Sequence, residues 1–180
     1  MPTVFSHAVA GLAIATLVRS PRGLGRLALV GAVCAAAPDL DVLGLSLGVP
    51  WGHVLGHRGL THSLPFAAVL AAGLTALLFR GPAWRGRRGA VWLVLFLATA
   101  SHGVLDAMTN GGSGVAFLAP FDDARWFLPW RPIPVSPIDP ERFFSQRGVR
   151  IMRVEVVLIW LPAVGLAILG AVLRRRRSRA

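Results

Sequence analysis

Charge is scarce in this chain. Of its 180 residues only 15% are charged, against 54% hydrophobic and a mean hydropathy of +0.62, where a soluble domain carries about 25% charged residues. That shortfall excludes an ordinary water-facing surface, and much of the exterior must meet lipid. Cysteine is nearly absent. Cys34 stands alone in an apolar run, which excludes an intrachain disulfide and suits packing. No positive stretch precedes the first apolar run, so a cleaved signal peptide is not expected. No internal repeat is visible, and the length leaves room for one core once several spans are made. A single membrane domain is therefore expected over residues 1–173, followed by a basic cytoplasmic tail, 174–180.

Lysine is also missing, and all 19 basic residues are arginine. The net charge of +11 invites a nucleic-acid partner, but its distribution opposes one. Twelve arginines fall in three clusters: Arg19, Arg22 and Arg26; Arg80, Arg85, Arg87 and Arg88; Arg174 to Arg177 with Arg179. Each cluster ends an apolar run and contains no acid, the pattern of loops retained in the cytoplasm.

Five apolar segments emerge: about Val4 to Val18, Leu27 to Ala37 with a continuation toward Val49, His62 to Phe79, Ala90 to Met108, and Val154 to Leu173. The last three approach the ~20 residues a bilayer requires. The first two are short and rich in small residues such as Ala8, Gly11, Ala15 and Gly31, which let helices pack closely. The expected fold is all-α, a polytopic bundle of four to five membrane helices. With the arginine clusters in the cytoplasm, the N-terminus, segment 38–61 and segment 109–153 fall outside. Segment 109–153 combines Phe121, Trp126, Phe127, Trp130, Phe143 and Phe144 with prolines 120, 129, 132, 134, 137 and 140. Proline at that density forbids a continuous helix, and the aromatics suit headgroup depth. An irregular lid over the outer face is expected.

The unusual polar residues all map to that same face. Asp39 and Asp41 stand in Ala-Ala-Pro-Asp-Leu-Asp, where Pro38 disfavours helix at Ala37 and an extended turn would aim both carboxylates at one site. Ionised carboxylates at a membrane helix end are costly unless paired or metal-bound. The alternative for Asp41 is capping of a following helix. His57 and His62 flank Arg-Gly-Leu-Thr at the start of the third segment, with Thr61 or Ser63 as its cap and Pro65 in its first turn. Neutral imidazole is the commonest protein metal ligand. His53 is expected in solvent or behind the ligands. His102 and Asp106, four apart, share one helix face, unless Asp106 merely orients His102. His7, with Gly11 four residues on, begins the first helix. These seven residues exceed what one four-coordinate zinc needs. A nitrogen and carboxylate set without thiolates fits zinc or manganese as two or more ions, and haem has no use for three aspartates.

Ser6-His7-x3-Gly11, Pro38-Asp39-Leu40-Asp41, the run His57 to Ser63, His102-x3-Asp106 and the run Phe127 to Pro137 together resemble the YdjM/YbcI family of bacterial inner-membrane proteins, described as LexA-regulated, membrane-bound, metal-dependent hydrolases. The resemblance covers nearly the whole chain. It implies a multi-pass inner-membrane enzyme, and through a remote similarity to zinc-dependent phospholipase C, a phospholipase C-like helical core with clustered zinc. The later His-x3-Glu of those soluble enzymes is absent here. The expected function is hydrolysis of phosphoesters in lipids or lipid-linked molecules by metal-activated water. The expected metal ligands are His7, Asp39, Asp41, His57, His62, His102 and Asp106, lying on the periplasmic face. Asp39 or Asp41 is the expected general base, while Arg58, Arg125 or Arg131 would meet phosphate. A divalent-metal transporter and a structural zinc protein are the rival readings. The first would need polar residues along a path through the bilayer, and here they stop at one face.

Overall fold

A computed structural model describes residues 1–18, 23–137 and 139–177. Arg19 and Arg22 of the first arginine cluster and residues 178–180, with Arg179, lie outside the described residues. Among the described residues the structure is helical, with two isolated bridges, Thr109 to Ile133 and Val115 to Trp126, and no strand. The all-α expectation therefore holds.

Helices α1 (Val4–Ala15) and α2 (Leu24–Ala36) run antiparallel. Glycine permits their close approach: a Cβ at Gly11 would lie 2.4 Å from the Gly31 carbonyl and 2.6 Å from the Ala35 side chain. Helix α5 (Arg88–Ala107) packs against α1, α2 and α4 (Leu64–Leu78) and is the central strut. Its buried face, Val91, Val94 and Leu95, meets Leu27, Cys34, Ala71 and Phe79 in an apolar core. A short α6 (Pro140–Phe143) precedes α7 (Gln146–Glu155), which passes through a π-helical turn, Val156–Trp160, into α8 (Leu161–Arg177). Pro162 has no N–H to offer Leu158, and a local widening of the helix accommodates that loss.

The structure corrects the sequence reading in three places. Residues Ala37–Asp41 form a 3₁₀ helix rather than an extended turn, with Pro38 in its first turn. Proline is tolerated there because the first N–H groups of a helix lack internal partners. Through α3 (Val42–Ser46) this extends the second segment to 23 residues, Leu24–Ser46. The third segment is shorter than expected, since Ser63 caps α4 by accepting from the Phe66 N–H at 3.1 Å and the helix ends at Leu78. Among the described residues, three helices are thus long and apolar enough to cross a membrane: Leu24–Ser46, Arg88–Ala107 and Gln146–Arg176. Third, segment 109–153 is irregular only through Pro137; its last part is α6 and most of α7.

The described arginines of the three clusters gather at one end of the bundle. The Arg26 guanidinium lies over the Phe79 ring, Arg88 donates to the carbonyls of Phe79 and Arg80, and Arg174 donates to the Thr16 carbonyl. At the opposite end, residues 109–137 are tied across the helix termini. Leu64 N–H donates to Phe117, Leu128 N–H to Ala107, and Arg125 to the carbonyls of Trp51, His53 and His57.

The Gly11 contact yields a direct test. Gly11→Ala should cost about 1–3 kcal/mol through overpacking, read as a lower melting temperature of the detergent-solubilised protein with a thiol-reactive dye on buried Cys34. Gly73→Ala, where nothing lies within 4 Å of the added Cβ, should not lower it.

Candidate metal centre

All seven sequence-predicted ligands converge at the end of the bundle opposite the three arginine clusters. Six of them come from helix termini: His7 from the first turn of α1, Asp39 and Asp41 from the 3₁₀ turn after α2, His62 from the turn before α4, and His102 and Asp106 from the last turns of α5. His57 arrives on the loop between α3 and α4. His7, His102 and Asp106 are fully buried, and His57 and His62 are 3% exposed. His53 is exposed, and its ring accepts from its own loop at Leu55 N–H.

Hydrogen bonding sets the imidazole tautomers. His102 Nδ1 lies 2.7 Å from the Ala35 carbonyl, which only accepts, so Nδ1 carries the proton and Nε2 presents a lone pair. His62 Nδ1 lies 3.1 Å from Asp41 Oδ2 and 3.0 Å from Thr61 Oγ1, so it too donates from Nδ1. The two Nε2 atoms then face each other at 3.0 Å. Two lone pairs at that distance repel unless a proton or a cation lies between them. Asp39 Oδ1 is 3.3 Å from His102 Nε2 and 3.8 Å from His62 Nε2, and Asp106 Oδ2 is 3.6 Å from His62 Nε2. Ligands 2.0–2.1 Å from a tetrahedral ion stand about 3.3 Å from one another. Asp39, His62, His102 and Asp106 therefore form a set that could hold a divalent cation.

The carboxylates divide into two kinds. Asp41 is satisfied without any ion: it accepts from His57 Nδ1 at 2.8 Å, from Thr61 Oγ1 at 2.7 Å and from Arg58 N–H at 3.2 Å, besides His62. It makes no capping bond to α3, which removes the capping alternative. Asp39 and Asp106 are buried with no hydrogen-bond partner on either oxygen, and His7 lacks one on both ring nitrogens. A 3₁₀ helix turns about 240° in two residues, which sends Asp39 and Asp41 to different sides of His62. His7 stacks on His102, ring centroids 3.7 Å apart, with Nε2 3.6 Å from Asp106 Oδ1. Asp41, His57 and His62 form a second set with metal-ligand spacing.

The three arginines expected to meet phosphate have separate surroundings. Arg58 is 2% exposed; it donates to the Gly111 carbonyl and Thr109 Oγ1, and its Nε lies 2.8 Å from Asp106 Oδ2, off the angle of a hydrogen bond. Its backbone is left-handed, φ 66°, a conformation costing about 1–3 kcal/mol that persists where the surroundings enforce it. Arg125 holds three backbone carbonyls and Ser113. Arg131 is exposed, its guanidinium over Phe127 at 4.8 Å.

Sequence reasoning missed Glu155. Fully buried, it accepts from Thr3 N–H at 2.9 Å and from the Thr3 and Ser6 hydroxyls, each at 2.5 Å. Trp160 Nε1 donates to the same Ser6 oxygen at 2.8 Å. This network seats the first turn of α1 one residue before His7. The signal was present as an acidic residue inside an apolar run, a mark of function in a membrane segment.

Burial alone would lower the His62 pKa, but the neighbouring carboxylates of Asp106 and Asp41 outweigh burial and raise it to about 9. At neutral pH the ion-free site therefore carries a proton on His62 that a cation must displace. Binding of a divalent cation should release protons, and its affinity should rise with pH until about 9 and then level. Calorimetric titration in buffers of different ionisation enthalpy checks this, and a pH-independent affinity between 6 and 9 contradicts it.

The whole described sequence fits a known pattern. A family model described as YdjM inner membrane protein matches residues 1–177. The chain is 40% identical over 179 residues to inner membrane protein YbcI of Escherichia coli strain K12, covering 98% of this chain and 100% of that protein. No solved structure matches. With its membrane-length helices and end-on histidine–aspartate cluster, this chain belongs to the YdjM family of inner membrane proteins.

Proposed function

We propose that this protein is a metal-dependent hydrolase of the inner membrane, acting on phosphoesters of lipids or lipid-linked molecules. The observation that carries the reading is the convergence of the His62 and His102 Nε2 atoms, 3.0 Å apart, with the unpartnered carboxylates of Asp39 and Asp106. Burying such groups without a cation is unfavourable, and the donor set suits zinc or manganese. His7 and the second oxygen of Asp106 offer further donors for a second ion. When bound, such ions supply Lewis acidity and bring the pKa of water near neutrality.

The protein's own groups divide the remaining work. Asp39 borders a cavity of about 420 Å³ and has no competing hydrogen bond, so it can take the proton of the water that attacks phosphorus. Asp41 is committed to His57, His62 and Thr61 and acts by orienting the imidazoles, as outer carboxylates do around metal sites. Arg58 holds Asp106 in place. Transport is disfavoured because the ligands stop at one end, and the apolar core of Leu27, Phe79, Val91 and Leu95 fills the other.

Protein purified from membranes should contain zinc or manganese by elemental analysis and release phosphate or headgroup from mixed phospholipids. Alanine at His62, His102 or Asp106 should remove both metal and turnover, whereas Asp41→Asn should weaken metal binding about 10–100-fold. Full turnover by metal-free protein, or amide cleavage without phosphoester cleavage, would overturn the proposal.

The proposal also puts the ligand end outside, following the positive-inside rule. In a Cys34→Ala background, Ser113→Cys should react with membrane-impermeant maleimide in intact spheroplasts, and Ala83→Cys only after lysis. The reverse pattern would move the chemistry to the cytoplasm.

A further inference from the structure

The cavity beside Asp39 continues away from the ligand cluster. It is bounded by Asp39 and Val42, by Thr3 and Phe5 at the start of α1, and by Phe143 and Phe144. Those two phenylalanines also wall an apolar hollow of about 600 Å³ running along α7 past Val149, Met152 and Val156. The two hollows thus share Phe143 and Phe144 as common lining, one bordered by Asp39 and the other lying on the flank of α7.

Helix length sets the depth of that groove. Gln146–Arg176 comprises 31 residues, about 46 Å of helix, against about 30 Å of hydrocarbon. With the Arg174 end held at one surface, about ten residues project beyond the hydrocarbon at the other, a length matching α7. Its exposed Arg147, Arg150 and Arg153 suit anionic headgroups, while Ile151 and Glu155 are buried. The groove thus lies where lipid phosphates and the first carbons of their chains meet.

We infer that the hollow formed by Phe143, Phe144, Val149, Met152 and Val156 seats a hydrocarbon chain of the lipid substrate, with the phosphoester reaching the metal centre past Asp39. This rests on the phosphoester reading above and names the part of that substrate the groove takes. Neither Phe121 nor Trp126 of the aromatic segment lines the Asp39 cavity.

The test uses metal-loaded, full-length protein in anionic vesicles containing a trace of phospholipid with a diazirine midway along one acyl chain. After irradiation, peptide mapping should find adducts on Phe143, Phe144 and Met152 several-fold above those on the lipid-exposed α8 residues Val164, Ile168 and Leu169. Val149→Trp and Val156→Trp, which fill the groove, should abolish that excess and retain bound metal. They should also lower turnover of long-chain phospholipid about tenfold more than that of a water-soluble phosphodiester, as expected from losing burial of a few methylenes. Labelling equal to that of α8, or concentrated on Phe121 to Trp130, would overturn the inference. Labelling needs no turnover, so the two proposals fail separately. A labelled but inactive protein keeps the chain site and sinks the phosphoester reading, and an active protein without the excess sinks the chain site alone.

Discussion

The ligand end of the bundle is arranged around one confrontation: the Nε2 atoms of His62 and His102, 3.0 Å apart. Neither ring can relieve it by changing tautomer. His102 is tied through Nδ1 to a helix carbonyl of α2, and His62 to Asp41, so each proton is committed behind the ring. The two aspartates alongside are equally committed by burial, because a carboxylate without partners is stable there only next to positive charge. Arg58 supplies part of that charge to Asp106 and accepts a left-handed backbone in doing so. Strain and unmet polar groups concentrate within a few ångströms, as functional sites often display.

That concentration depends on helix packing some distance away. Gly11 and Gly31 bring α1 against α2, which stacks His7 on His102. Gly103 performs a similar service beside His102: a Cβ there would lie 2.8 Å from the His62 carbonyl, so the turn carrying His62 can rest directly on α5. Glu155 fixes α1 from the other side. The small residues thus act on the chemistry by setting the separations of imidazoles they do not touch.

Much of this was legible in the sequence because it follows from local rules. The apolar runs were visible by length, and the i, i+4 spacing of His102 and Asp106 placed them on one face. The arginine clusters assigned the histidines and aspartates to a common end before any contact was known. What escaped depended on tertiary context. Proline at Pro38 reads as a break, but at the start of a 3₁₀ turn it is tolerated, and that turn is what separates the roles of Asp39 and Asp41. Arg58 reads as a free cation beside two histidines, yet the carbonyl of Gly111 and the hydroxyl of Thr109, more than 50 residues away, turn it inward. The role of Glu155 escaped because its partners Thr3 and Ser6 lie at the opposite end of the chain.

Unequal helix lengths explain why a metal centre can form here at all. Helices α1 and α4, of 12 and 15 residues, are about 18 and 22 Å long, short of the ~30 Å of hydrocarbon that α5 and the continuous helix Gln146–Arg176 are long enough to cross. A helix that stops early leaves a gap at one end of the bundle and exposes its unpaired backbone groups there. Irregular backbone is tolerated at membrane depth only where protein or a water-filled cavity surrounds it. Residues 109–137 meet that condition by bonding across the gap to Ala107, Phe117's partner Leu64 and the loop carbonyls that Arg125 holds. The polar ligands therefore gather in a pocket floored by short helices, roofed by an irregular segment and open on the side of α7. An arrangement of full-length helices would have carried the same residues out into the headgroups, where water would satisfy each one separately.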